Sequence, residues 1–223
     1  MSALPAQLVD GLWRWTARHP EWHPGEFGAE VAAFAVRADG VTLLIDPLLP
    51  EGGTRAALLE ALDTIVDGPA AILVTIPYHA RSSEELAARY GATIHGHPAT
   101  AKRLEDASAF RVAEPGAPLP GGARAFAIGR PRRFELPMWL PSQRAVVFGD
   151  AVVETGGELR VWAQSAVDEG RRRFHQERFN PTLQPLVALD PRRVLVTHGE
   201  PVLEGGRAAL AAALVAEPFW QRG

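Results

Sequence analysis

Short runs of apolar residues, some alternating with polar residues and some continuous, dominate the first part of the chain. Residues 8–16 alternate in this way and predict a first β-strand. Residues 31–37 and 41–46 are rich in β-branched and other apolar residues, and Asp39-Gly40 between them is typical of a hairpin turn. The second run, VTLLID, is continuously apolar, which predicts a strand buried on both faces.

Apolar residues then recur at helical spacing over residues 54–66, with Thr54 as the expected N-cap. Residues 71–75 predict a buried strand, followed by a loop that carries Tyr78 and His79. An amphipathic helix is expected to begin near Ser82 and to end near Gly91. A strand over residues 92–95 and a short helix over residues 98–106 complete this part of the chain.

The second half repeats the change from strands to helices. A helical stretch over residues 168–189 is expected to break at Pro181. His175, within that stretch, is expected to be solvated. The other predicted elements are strands over residues 124–128, 134–140, 145–148, 160–162 and 194–197, and a last helix over residues 207–216.

Two β-rich halves, each followed by helices, predict an α/β protein with mixed sheets. With 223 residues and no long linker, the chain is expected to form a single domain over residues 1–223. Periodicity alone does not choose among the architectures of this class.

Composition narrows the chemistry and the partners. A net charge of −3 argues against a nucleic-acid partner, and no apolar run approaches the ~20 residues that cross a bilayer. The first residues show no secretory signal, so a cytoplasmic location is expected. A small-molecule ligand or substrate is therefore the expected partner, and the oligomeric state, including a homodimer, stays open. Without cysteine, any metal ligands would be histidines and carboxylates.

Five segments in this order resemble the metallo-β-lactamase superfamily: LLIDP, ILVTIPYHARSSEELAARYGATIHGHP, GRPRRFELPMWLP, RAVVFGD and VLVTHGEP. The resemblance covers nearly the whole chain. It implies a four-layer αββα sandwich, in which two mixed sheets are flanked by helices and the site lies along one edge.

The metal-binding loop departs from the family pattern Thr-His-x-His-x-Asp-His. When Thr75 is aligned with its threonine, the four ligand places fall on Ile76, Tyr78, Ala80 and Arg81. Pro131 stands where the family has its next histidine. Asp150 matches the bridging carboxylate, His198 matches the last histidine, and Asp46 matches a supporting aspartate behind the ligands.

The resemblance therefore implies at most one divalent metal (zinc, iron or manganese), held by His79, Asp150 and His198. Binuclear zinc is not expected. The candidate catalytic residues are Asp150, His198, His79 and Tyr78, acting as an acid–base set. Each also has a structural interpretation, as a residue that only hydrogen-bonds to nearby loops.

The candidate substrate-binding residues are Arg81, His23 and Trp22. Arg81 could bind a carboxylate or phosphate, or could instead pair with Asp150 and fill the emptied metal site. Trp22 and His23 could line the mouth of the site, or could tuck their loop onto the core.

Three functions stay open at this point. The first is a hydrolase-like protein that has lost most metal ligands and still hydrolyses a small ester, lactone or thioester. The second is a non-catalytic protein, a pseudoenzyme, that binds a ligand or partner in the same cleft. The third is a single-metal hydrolase.

Overall fold

The computed structural model describes residues 4–22, 28–129 and 134–221. Its first half forms a seven-stranded sheet whose strands follow one another in chain order. The strands are β1 (Ala6–Val9), β2 (Leu12–Arg18), β3 (Glu30–Ala38), β4 (Val41–Ile45), β5 (Ala70–Val74), β6 (Thr93–Gly96) and β7 (Phe110–Val112), and the helices are α1 (Thr54–Ile65) and α2 (Ser83–Tyr90).

The second half forms a four-stranded sheet and a separate two-stranded ribbon. The sheet contains β8 (Arg124–Ala125), β9 (Met138–Leu140), β10 (Ala145–Phe148) and β13 (Arg193–Val196), in the order β13-β10-β9-β8; the ribbon contains β11 (Val152–Thr155) and β12 (Glu158–Val161); the helices are α3 (Glu169–Phe174), α4 (Gln184–Ala188) and α5 (Gly206–Val215).

The two sheets and the helices on their outer faces form four layers, and an apolar layer fills each of the three spaces between them. The first fills the space between the two sheets and includes Phe34, Leu73 and Val147. The second packs α1 and α2 on the outer face of the large sheet, and the third packs α4 and α5 on the outer face of the small sheet. Burial of both sheet faces explains why β4, β5 and β10 are continuously apolar. The predicted αββα sandwich is confirmed.

Both sheets are mixed. In the large sheet the neighbours from β1 to β4 are antiparallel and those from β4 to β7 are parallel. In the small sheet β10 runs parallel to β13 and antiparallel to β9. Parallel strands end at the same edge of a sheet, so the loops after β4 and β5, and those after β10 and β13, lie side by side.

Several element boundaries differ from the sequence prediction. The predicted first strand is two strands, because a turn at Asp10-Gly11 divides β1 from β2. Thr54 is the first helical residue of α1, and the N-cap position belongs to Gly53. The strand predicted over residues 134–140 is shortened to β9, because the N–H of Leu136 donates to the carbonyl of Thr75 in the other half. The ribbon strand β11 and the edge strand β7 were not predicted.

The segment after Asp168 is the least regular. Helix α3 is followed by a π-helical turn, His175–Phe179, and a 3₁₀ turn, Asn180–Leu183, before α4 begins. His175 is buried between the rings of Phe174 and Phe179, so the prediction of a solvated histidine was wrong. None of the helices among the described residues is both long enough and apolar enough to span a membrane.

Candidate functional site

Four strand ends meet at one edge of the sandwich and bring the predicted site residues together. Asp46 follows β4 and His79 follows β5, while Asp150 follows β10 and His198 follows β13. A main-chain hydrogen bond of 2.8 Å from the Ala32 N–H to the Thr197 carbonyl joins the two halves beside this edge.

Asp46 is the buried anchor of the site. Its backbone has a φ of +48°, which is unusual for a residue other than glycine, and the residue is 1 % exposed. One carboxylate oxygen accepts the Thr75 N–H at 2.8 Å. The other oxygen accepts the Thr75 hydroxyl and lies 2.9 Å from Nδ1 of His79. These contacts fix the orientation of the His79 ring.

The other nitrogen of His79 faces Asp150. Nε2 of His79 lies 3.4 Å from Oδ1 of Asp150, and Nε2 of His198 lies 3.7 Å from the same oxygen. The four side chains of Asp46, His79, Asp150 and His198 therefore form a continuous series, the carboxylate–histidine chain, in which carboxylates and imidazoles alternate.

Two glycines make room for this chain. A Cβ atom at Gly149 would lie 2.7 Å from the Thr75 hydroxyl, and one at Gly199 would lie 2.4 Å from the Glu154 carbonyl. The N–H of Gly149 donates to Oε1 of the fully buried Glu135 at 3.0 Å. Thr75 and Glu135 are site residues that the sequence analysis did not assign. Glu135 had one visible signal, a single carboxylate within the apolar run FELPMWL.

The pKa values of the two histidines are shifted in opposite directions. Burial and the charge of Arg81 oppose protonation of His79, but the carboxylates of Asp46 and Asp150 prevail and raise its pKa above 6.5. Burial lowers the pKa of His198 to about 4, against the pull of Asp150. Burial also works against the Asp150 carboxylate, yet His79 and His198 hold the pKa of Asp150 well below its ordinary value. Protonation is therefore favoured at His79 and disfavoured at His198.

The residues present do not fit the family's metal centre. Within residues 4–22, 28–129 and 134–221, no group of three or more His, Cys, Asp or Glu side chains is arranged to hold a metal ion. His79 has one nitrogen on Asp46 and shares a single Asp150 oxygen with His198. The cationic Arg81 acts on both histidines through space. The imidazole of His79 lies between the carboxylates of Asp46 and Asp150, which favour its protonated form.

A cleft of about 400 Å³ opens above the carboxylate–histidine chain. His79, Asp150 and His198 lie at its base, and Tyr78 and Trp22 line its walls. Tyr78 is 57 % exposed, so it lies at the mouth of the cleft rather than within the carboxylate–histidine chain. Trp162 and Gln164 complete the wall on the side of the second half. His23 lies outside the described residues, as does Pro131.

Arg81 occupies a different place from the one the sequence suggested. It lines a second cavity beside the cleft, and its Nη1 donates to the main-chain carbonyl of Asp46 at 3.2 Å. The predicted pairing with Asp150 is present only as a through-space charge interaction.

Comparison with known proteins agrees with this architecture. No protein-family model matches the chain. A hydroxyacylglutathione hydrolase of Acidiphilium cryptum (strain JF-5) is 28 % identical over 183 residues, which cover 81 % of this chain and 69 % of that protein. A metallo-β-lactamase from Pontibacter korlensis superposes with a TM-score of 0.65 at 16 % identity, covering 94 % of this chain and 97 % of the other. The chemotaxis sensor ODP, in a peroxy diiron state, superposes with a TM-score of 0.62 at 12 % identity, covering 96 % of each chain.

The fold is therefore that of the metallo-β-lactamases. The sequence similarity to a hydroxyacylglutathione hydrolase agrees with the superfamily that the fold indicates.

Proposed function

We propose that this chain is a hydrolase-like protein that uses the metallo-β-lactamase fold without the pair of metal ions, and that its substrate is a small ester, lactone or thioester. The observation that carries this proposal is the carboxylate–histidine chain at the base of the cleft. Two histidines contact one oxygen of Asp150, and Asp46 orients one of them.

His198 is the general base of the proposed reaction. It is neutral at pH 7, so its imidazole can accept a proton from a water molecule in the cleft while that water attacks the acyl carbon. Asp150 then stabilises the imidazolium that forms, as a carboxylate does behind a catalytic histidine. The proton passes from His198 to the departing alcohol or thiol, which completes hydrolysis.

His79 has the complementary role. Its raised pKa favours the protonated form, and it lines the cleft beside Asp150. A fixed positive charge next to the acyl group stabilises the oxyanion that develops during attack. Two like groups whose environments move their pKa values apart are the arrangement expected of an acid–base pair.

The proposal is tested by turnover of a panel of aryl esters, lactones and thioesters. His198→Gln removes the base and is expected to lower kcat by about 10²–10⁴-fold. His95→Gln is the matched control, because His95 lies on β6, hydrogen-bonded to Thr93 and away from the cleft. Equal activity of His198→Gln and the wild type would refute the role of His198.

Ligand binding without catalysis is the second candidate. Both nitrogens of His79 already face carboxylates, which suits a fixed binding surface. A chemotaxis sensor, ODP, has the same fold. In this case the panel gives no turnover, and a compound that fits the cleft raises the Tm of the protein instead. The third candidate, a single-metal hydrolase, lacks a suitable ligand set among the described residues.

A further inference from the structure

The second cavity, beside the cleft, is lined by four arginines: Arg18, Arg55, Arg81 and Arg103. We call this space, of about 320 Å³, the arginine cavity. It shares His19, Glu21 and Tyr78 with the wall of the cleft, so one ligand can extend from one space into the other.

Positive charge in the arginine cavity exceeds negative charge. Glu21 and Glu51 are the two carboxylates in the described lining, against the four guanidinium groups. Arg55 is already paired, with Glu85. The other three, Arg18, Arg81 and Arg103, have no carboxylate within ion-pair distance among the described residues.

Two of these three are held by aromatic rings rather than by carboxylates. The guanidinium of Arg103 lies 4.2 Å from the centre of the Tyr78 ring, and that of Arg18 lies 4.9 Å from the centre of the Trp22 ring. Stacking on a ring orients a guanidinium and leaves its N–H groups available to an acceptor in the ring plane. In the described parts of the chain neither arginine has a carboxylate partner within ion-pair distance.

Arg81 is the deepest of the four and is the least satisfied. Its Nε and Nη2 atoms are buried and have no hydrogen-bond partner among the described residues. Its backbone φ is +38°, a strained value that the fold maintains at this position. Burial lowers its pKa to about 10, against the opposing effect of Asp46 and Asp150. Buried donors without acceptors are costly, and an anion would relieve that cost.

We infer that the arginine cavity binds a phosphate or carboxylate group of the ligand whose acyl group occupies the cleft. Guanidinium groups bind these planar or tetrahedral anions through paired N–H···O contacts. Tyr78 lies between the two spaces and would contact both ends of such a ligand. The substrate would then be an acyl compound that carries an anionic group. This substrate class rests on the proposed function, whereas the anion site does not depend on it.

Calorimetric titration with inorganic phosphate at low salt tests the anion site without any turnover. One saturable site per chain is expected. Arg103→Gln removes an exposed member of the set, and Arg81→Lys keeps the charge but loses the guanidinium fork; each is expected to weaken binding about tenfold. Arg124→Gln is the charge-matched control, because Arg124 is exposed on β8 in the other half. It is expected to bind phosphate as the wild type does.

Absence of saturable binding to the wild type would overturn the inference, and so would equal weakening by Arg124→Gln and Arg103→Gln. Because Arg103 is exposed, its variant tests the inference even if Arg81→Lys fails to fold. The link to catalysis has its own readout. Arg103→Gln should raise KM about tenfold for an anionic ester and by a much smaller factor for a neutral ester; equal effects would refute that link. If phosphate binds and no ester is turned over, the proposed hydrolysis fails while the anion site stands.

Discussion

Asp46 is the residue on which the site depends most. Its carboxylate accepts from both the main chain and the hydroxyl of Thr75 and also contacts His79, all in a region closed to water. The alignment of the LLID segment predicted a supporting aspartate at this position. The alignment could not predict that His79 contacts Asp46, because His79 is one position away from the family's ligand positions.

Asp46→Asn tests this role with the shape of the side chain preserved. An amide cannot accept from all three donors, and asparagine tolerates the positive φ, so the loss comes from charge and hydrogen bonding. We expect the free energy of unfolding, measured in urea, to fall by about 1–3 kcal/mol. Asp67→Asn, at an exposed position, should change it by less than about 0.5 kcal/mol. Equal effects of the two variants would contradict the assignment.

The histidines predict the pH dependence of hydrolysis. Activity should fall as the pH drops through about 4, where His198 becomes protonated and can no longer act as a base. It should also fall as the pH rises through the raised pKa of His79, above 6.5, where the cation is lost. The profile of kcat/KM is therefore bell-shaped. Activity that keeps increasing in alkaline solution would contradict the role of cationic His79.

Among the secondary-structure elements, the loops that follow parallel strands build the site. β10 and β13 pair in parallel from Ala145 with Arg193 to Phe148 with Val196, so Asp150 and His198 emerge next to each other. The loop after β10 passes so close to Thr75 that only glycine fits at position 149.

Gly149→Ala is expected to disrupt the site through this close approach. The added methyl group would overlap the Thr75 hydroxyl, which in turn contacts Asp46. Overpacking of this kind costs about 1–3 kcal/mol, and the shift of Thr75 should also reduce activity. Gly53→Ala is the control, because nothing lies within 4 Å of its Cβ position. A Gly149→Ala protein with wild-type melting temperature and activity would contradict the packing described.

The elements show what a sequence can predict here. Buried strands such as β4, β5 and β10 have continuous apolar runs, and α1, α2 and α5 have clear periodicity or caps, so these were predicted nearly to the residue. The strand predicted over residues 134–140 proved too long, because the main chain before β9 hydrogen-bonds to Thr75, which is distant in sequence. The burial of His175 follows from a π-helical turn, which changes the helical phase that the periodicity assumed.

The candidate site, too, could be predicted only in part from the sequence. Asp150 and His198 were predicted because they match the family's ligand positions, and His79 because it lies in the loop that corresponds to the metal-binding loop; the structure brings all three together. Arg81 was assigned to the same cleft by its place in the loop. Its backbone has a positive φ and its side chain lines the neighbouring cavity, and no local sequence pattern predicts either.

Across the molecule as a whole, three apolar layers hold the halves in register, and each half contributes one carboxylate and one histidine to the carboxylate–histidine chain. Packing of the sandwich thereby fixes the positions of four side chains that are far apart in sequence. The fold is that of the metallo-β-lactamases, with His79 at the base of its cleft and Arg81 in the neighbouring cavity.

Hydrolysis at this cleft is proposed to need no metal ion, and dependence on metal is therefore the property to measure. Turnover of the best substrate by untagged protein is compared before and after prolonged dialysis against a chelator, with metal content determined by elemental mass spectrometry on the same samples. We expect unchanged kcat at metal levels far below one ion per chain, and loss of activity in His198→Gln. Activity that disappears with the metal and returns with zinc, iron or manganese would show that the proposed mechanism is wrong.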